Sequence, residues 1–164
     1  MTNKSIIIRE AIEADVPGII SAHRNSIREK ASHHYDQNII DQWAPDEVPL
    51  KQVEKLKQQV NGNEWFTLIA EADGTIIGFG QVNPGKNILG AVYVQKNPYG
   101  LVGKKLLAGL IGHAKEKHTG FLEMSASVNS EAFYQEAGFK TVSHDIHVMQ
   151  SGTEMACVKM RLDL

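Results

Sequence analysis

The sequence predicts a mixed α/β (α+β) fold of one domain spanning residues 1–164. Three observations carry that expectation. The hydrophobic period changes from strand-like to helical after Glu13 and back again further on. Two β-rich runs meet at Asp73-Gly74, a strong hairpin signal. Strands then helices come in unequal groups, and two long strands close the chain together. Such an order is neither a doubly wound alternation nor an all-β barrel. A length of 164 residues suits one domain, and 42% apolar residues supply its core.

The elements follow in turn. Ser5 to Ala11 is short, β-branched and bounded by polar residues, which predicts a strand. Val16, Ile19, Ile20, His23, Ile27 and Ala31 fall at helical spacing, and Asp15-Val16-Pro17 makes a helix start because proline is tolerated in a first turn. Asp36 to Trp43 and Pro49 to Val60 are two further helices, divided by Ala44-Pro45-Asp46; the second ends at Asn61-Gly62, where a left-handed residue is expected. Trp65 to Ala72 and Thr75 to Val82 form the hairpin. Asn83-Pro84-Gly85 turns the chain into a strand over Ile88 to Gln95. The stripe 102, 106, 107, 110, 111 and 114 predicts a helix over Leu101 to Lys117. Gly120 to Ala126 reads as a strand. Asn129 to Ala137 reads as a short helix with Asn129 as its cap and Gly138 as its end. Phe139 to Met149 and Glu154 to Leu162 are strands joined around Ser151-Gly152.

Seventeen Lys+Arg against nineteen Asp+Glu give a net charge of −2, which removes the main argument for a nucleic-acid binder. No apolar run is long enough to span a membrane, and MTNKSIIIREA lacks the form of a signal peptide, so a cytoplasmic location is expected. The lone Cys157 has no partner for an internal disulfide and reads as a buried thiol. Seven histidines have no metal-ligand spacing, so no metal is expected.

The most informative stretch runs from Tyr93 to Leu107. A strand enters a glycine-containing turn (Pro98-Tyr99-Gly100-Leu101-Val102-Gly103) and then an amphipathic helix. A helix start offers unbonded N–H donors and a partial positive charge, which suit phosphate. Lys104 and Lys105 sit at the unfavourable end of the helix dipole unless an anion is bound there, while a solvated basic turn is the plainer account. Neither the nucleotide-binding phosphate loop nor the dinucleotide fingerprint fits the glycine spacing. A second segment, Asn129-Ser130-Glu131-Ala132-Phe133-Tyr134 followed by Gly138-Phe139, lies on the next helix.

Together the two segments resemble the GNAT N-acetyltransferase superfamily, and the order of elements is similar over nearly the whole chain. The resemblance implies a central, mostly antiparallel twisted sheet of about seven strands flanked by helices. It implies acetyl-CoA as co-substrate, with Val92, Tyr93, Val94, Tyr99, Gly100, Leu101, Val102, Gly103, Lys104, Lys105, Asn129, Phe133 and Tyr134 around it. Two positions depart from the family's Arg/Gln-x-x-Gly-x-Gly/Ala turn: Pro98 stands for the Arg/Gln and Leu101 for the first glycine.

The implied reaction passes an acetyl group directly to a primary amine in a ternary complex. An ammonium of pKa near 10.4 is neutral in about one part in 10³ at pH 7, roughly 4.6 kcal/mol from its reactive form. A backbone N–H near Tyr93 and Val94 is expected to face the acyl oxygen. Tyr134 is the expected acid for the departing thiolate, against the alternative of a core aromatic. Glu123 is a candidate base if its strand points it at the cleft, or a solvated glutamate if not. His23, Ser26, Tyr35 and Trp43 are candidate acceptor contacts from the helices that cover the cleft, with core packing as the alternative for His23 and Trp43. Two other readings stay open: an acyl-CoA-binding module of this fold with weak or no turnover, and an interaction protein dimerising through its last strand. A homodimer is expected from family habit.

Overall fold

A computed structural model describes residues 5–164; residues 1–4, where the opening segment read as lacking a signal peptide begins, lie outside it. The strands are β1 (Ile6–Glu10), β2 (Phe66–Ala72), β3 (Thr75–Asn83), β4 (Ile88–Leu89), β5 (Tyr93–Val94), β6 (Phe121–Ser127), β7 (Lys140–Val148) and β8 (Glu154–Asp163). The helices are α1 (Val16–Ser26), α2 (Gln37–Trp43), α3 (Leu50–Asn61), α4 (Val102–Glu116) and α5 (Glu131–Glu136). One sheet runs β1-β2-β3-β4-β6-β8-β7, with β5 beside β3. Every pairing is antiparallel except β4 with β6.

Strand alternation divides the core in two. On β2, Leu68, Ala70 and Ala72 join Leu106, Leu107, Leu110 and Ala114 of α4 and Tyr134 of α5. Ile69, between them, turns to the other face and packs with Ile19 of α1, Phe79, and the partly buried Leu56 and Val60 of α3. The result is three layers: α4 and α5, the sheet, and the α1 and α3 side. Arg9 fixes the start of α1 to the sheet through two bonds to Asp15, at 2.8 and 2.9 Å, and one to Glu71 at 3.1 Å. The Arg9 guanidinium holds the Asp15 carboxyl below its usual range.

Most elements lie where the periodicity puts them. Proline at the start of α1, left-handed Gly138 after α5 and the positive φ of both Asp73 (50°) and Gly74 (78°) follow the residue chemistry. Four expectations change. α1 ends at Ser26 and continues as a π-helix over Ile27–Ala31. Gly62 is extended (φ −83°, ψ −179°) rather than left-handed. Asn129 does not cap α5: it lies in a short 3-10 turn, Val128–Ser130, and Ser130 precedes the helix. The strand expected over Ile88 to Gln95 is split in two, and this split makes the sheet one strand larger than expected.

The split has a clear cause. Val82 pairs with Leu89 and Phe79 with Tyr93, so Gly80 and Gln81 face Gly90, Ala91 and Val92, an extra residue on one side. That is a β-bulge. Gly80 leaves room for it: a Cβ there would come within 3.1 Å of Val92 Cγ2 and 2.7 Å of Leu110 Cδ1. Before the bulge, β4 still meets β6 at Ile88 and Glu123. Beyond it, β5 pairs with β3 while β6 pairs with β8, and the sheet opens between β5 and β6.

Candidate active site

A cleft of about 840 Å³ occupies this opening. Its near wall is Ala91 to Asn97, its far wall Ser125 to Ser130, and its floor the start of α4 with Phe133 and Tyr134. Hydrogen bonding along β5 alternates. Gln95 N–H donates to Ile77 at 2.9 Å, so the Gly78–Val94 pair is the non-bonded kind and the Val94 N–H turns toward the opening. Val92 N–H also points there, donating to Tyr134 Oη at 2.8 Å.

Tyr134 is buried, 1% exposed, on α5 between Phe133 and Phe139. Burial pushes its phenol upward, partly offset by the Val92 N–H it accepts, so it stays protonated at neutral pH. Its oxygen acts as acceptor to Val92, and its own hydrogen goes to no acceptor among the described residues. Asn129, on the opposite wall, has a buried Oδ1 with no hydrogen-bond partner. A buried amide oxygen without a donor costs about 1–3 kcal/mol, a deficit a bound amide N–H would remove.

The floor suits an anion. The first intrahelical bond of α4 runs from Lys105 N–H to Leu101 at 3.0 Å, which leaves the N–H groups of Val102, Gly103 and Lys104 without helical partners. Lys96 and Lys104 also line the cleft, Lys104 lying 3.5 Å from Glu136. Leu101 begins the helix at φ 66°, a left-handed conformation that glycine adopts freely and leucine does not. Gly103 has a packing reason: a Cβ there would lie 3.2 Å from the Phe133 ring.

Of the residues expected around a cofactor, Val92, Tyr93, Val94, Tyr99, Leu101, Val102, Gly103, Lys104, Asn129, Phe133 and Tyr134 line the cleft. Gly100 and Lys105 do not; with Pro98 they line a separate shallow hollow. Ser26 and Trp43 line the cleft, and His23 lies behind Trp43 in a second cavity. Tyr35 does not line the cleft: its hydroxyl donates to Ala156 O at 2.6 Å and accepts Val128 N–H at 2.9 Å. Glu123 lies outside the cleft, at the point where β4 and β6 still pair, and faces Arg161 at 3.3 Å. That placement gives the base assignment no geometric support.

Sequence reasoning missed Lys30, Met155 and Cys157 as lining residues. Lys30 follows Ser26 by four residues and could have been found by extending the α1 stripe. Met155 and Cys157 enter from β8, whose place beside β6 no local pattern announces. Cys157 is buried, as its apolar setting predicts.

A profile of the acetyltransferase (GNAT) domain matches residues 29–164. Among solved structures, a GCN5-related N-acetyltransferase from Rhodopseudomonas palustris superposes with a TM-score of 0.84 at 22% identity, covering 100% of this chain and 99% of that one. PaiA N-acetyltransferase from Thermoplasma acidophilum, in complex with coenzyme A, gives 0.72 at 21% identity, with 98% and 99% covered. YncA from Salmonella typhimurium, a structure with acetyl-CoA, gives 0.64 at 19% identity, with 98% and 94% covered. A search of curated proteins returned no match. A family match over most of the chain, on a sheet split open beside a helix start and a buried tyrosine, has one reading: the chain belongs to the GNAT family of N-acetyltransferases.

Proposed function

We propose that the protein transfers the acetyl group of acetyl-CoA to a primary amine within a ternary complex, with Tyr134 as the acid. The observation that carries the proposal is Tyr134 Oη, held by the Val92 N–H at 2.8 Å on a residue that lines the cleft and donating to no acceptor among the described residues. Acetyl-CoA supplies an activated acyl group as a thioester. The residues present fit it: unbonded N–H groups of α4 with Lys96 and Lys104 suit the diphosphate, and the unpartnered Asn129 Oδ1 suits an amide N–H of the pantetheine arm.

The chain's contribution to the chemistry is position and protons. The Val94 N–H, turned toward the opening, faces the place where negative charge grows on the acyl oxygen, while the Val92 N–H holds Tyr134. The amine nitrogen forms the new C–N bond as the C–S bond breaks. Tyr134 gives its proton to the sulfur and is reprotonated from the amine, whose remaining ammonium proton goes to solvent.

A second reading, a module that binds acyl-CoA with little turnover, is favoured by Leu101 and Pro98 in the turn. One experiment separates them: calorimetric titration with acetyl-CoA, followed by thiol release in the presence of an amine panel. Binding with amine-dependent thiol release supports the enzyme; binding without it supports the module; absence of binding refutes both.

A further inference from the structure

Behind Trp43 lies a second cavity of about 240 Å³, between α1, α3 and the sheet. It adjoins the cleft, since Trp43, Ala91 and Tyr93 line both. Its volume is below the roughly 300–1,000 Å³ of drug-sized sites, so it takes one side chain or a small molecule. Leu56, Phe79, Trp43 and Tyr93 make its walls largely apolar and aromatic.

Charge narrows the occupant further. His23 stacks edge-on to Tyr93 at 4.5 Å, and burial pushes it down to about 4, so it is neutral. Arg24 is then the fixed charge in the lining. Its Nη1 donates to the Asp46 carbonyl at 2.9 Å, while the Asp46 carboxylate pairs with Arg28 at 2.8 Å. Among the described residues Arg24 has no ion pair within 4 Å and one side-chain hydrogen bond, although the nearby Asp46 carboxylate feels its charge. No Asp or Glu lines either the cavity or the cleft, although the chain has 19 acidic residues against 17 basic ones. The cleft adds Lys30, Lys96 and Lys104. Glu29, at its rim, accepts the Lys96 backbone N–H.

A polycation entering this site meets cations in the walls, with carboxylates only beside them: Asp46 near Arg24, Glu29 on the Lys96 backbone and Glu136 3.5 Å from Lys104. An acceptor bearing its own anionic group finds unpaired guanidinium donors. The same cations disfavour an ammonium and favour the neutral, nucleophilic amine, which offers a physical route to deprotonation without a carboxylate base.

We propose that the acceptor is the α-amine of a free α-amino acid with an apolar side chain, its carboxylate on Arg24 and its side chain in the aromatic cavity. The proposal rests on the acetyltransferase reading above. The test measures thiol release from acetyl-CoA with L-phenylalanine, L-leucine, L-phenylalaninamide and spermidine. Expected is a kcat/KM for either acid at least about tenfold above that of the amide, with no spermidine-dependent release. Arg24→Gln should raise KM for L-phenylalanine about tenfold and flatten the acid-to-amide preference, and Arg24→Lys should restore part of it. Loss of loop anchoring alone would not change that ratio. Calorimetry with CoA separates the failures. CoA binding with the amide or spermidine preferred, or with an acid-to-amide ratio unmoved by Arg24→Gln, overturns the acceptor assignment alone. CoA binding with no amine used overturns the acceptor assignment and favours the module with little turnover. Absence of CoA binding overturns the acetyltransferase reading as well.

Discussion

Tyr134 shows how much one side chain can combine. Its ring fills the core between Phe133 and Phe139, and its hydroxyl accepts the Val92 N–H, within the bulge just before β5. Burial makes it a weaker acid than a thiol, so it keeps its proton at rest and yields it to the departing sulfur only as the amine's proton replaces it. Removing the hydroxyl should therefore reach the chemical step and spare binding. For Tyr134→Phe we expect kcat to fall about 10²-fold, the lower end for general acids. Acetyl-CoA affinity should change little, as read by thiol release under chemistry-limited conditions and by calorimetry. An unaltered kcat would refute the acid role. The residue's identity was legible from Phe133-Tyr134 and Gly138-Phe139, whereas the partner of its hydroxyl was not, because Val92 is 42 residues away in sequence.

At the scale of elements, the start of α4 carries the tension between sequence and function. Leu101 occupies the left-handed residue before the helix and is 63% exposed. A non-glycine residue there costs about 1–2 kcal/mol, and glycine would give back about 0.5–1 through the freedom of the unfolded chain. Leu101→Gly should thus stabilise the fold by about 1 kcal/mol, raising Tm by about 2–4 °C in a thermal melt. A lower Tm would show that the leucine makes a contact of value. The turn was identifiable from Gly100 and Gly103 by residue type, but their separate roles were not. Gly100 opens onto a neighbouring hollow, and Gly103 makes room for Phe133. The reading of Asn129 as a cap failed for a similar reason. Its sequence context suits an N-cap, yet the 3-10 turn before α5 sets Asn129 against the cleft instead.

Across the whole molecule, the cleft depends on holding apart two halves of a sheet that would otherwise pair. Tyr35 ties distant segments together: it follows the π-helix after α1, yet bonds Ala156 on β8 and Val128 before α5. Its sequence neighbourhood gave a candidate acceptor contact, and the structure gives a clasp. Tyr35→Phe removes both bonds, so we expect a loss of about 1–2 kcal/mol in urea unfolding and a higher KM for acetyl-CoA as the far wall loosens. An unchanged urea midpoint would show that water replaces the hydroxyl at no cost.

The amino-acid order alone determined the strands and helices, because period, turn residues and helix ends are local properties of a few neighbouring side chains. It also marked the segments proposed to bind and react, since glycines before a helix and a tyrosine in a known neighbourhood are local as well. Tertiary structure decided what lies across the gap. Whether Ile88 to Gln95 stays one strand depends on its register against Gly80, and the Asp- and Glu-free lining of both cavities depends on which faces meet. Both are relations between residues far apart in the chain. Only the packing of α1, α3 and α4 on opposite faces of one sheet brings them into contact.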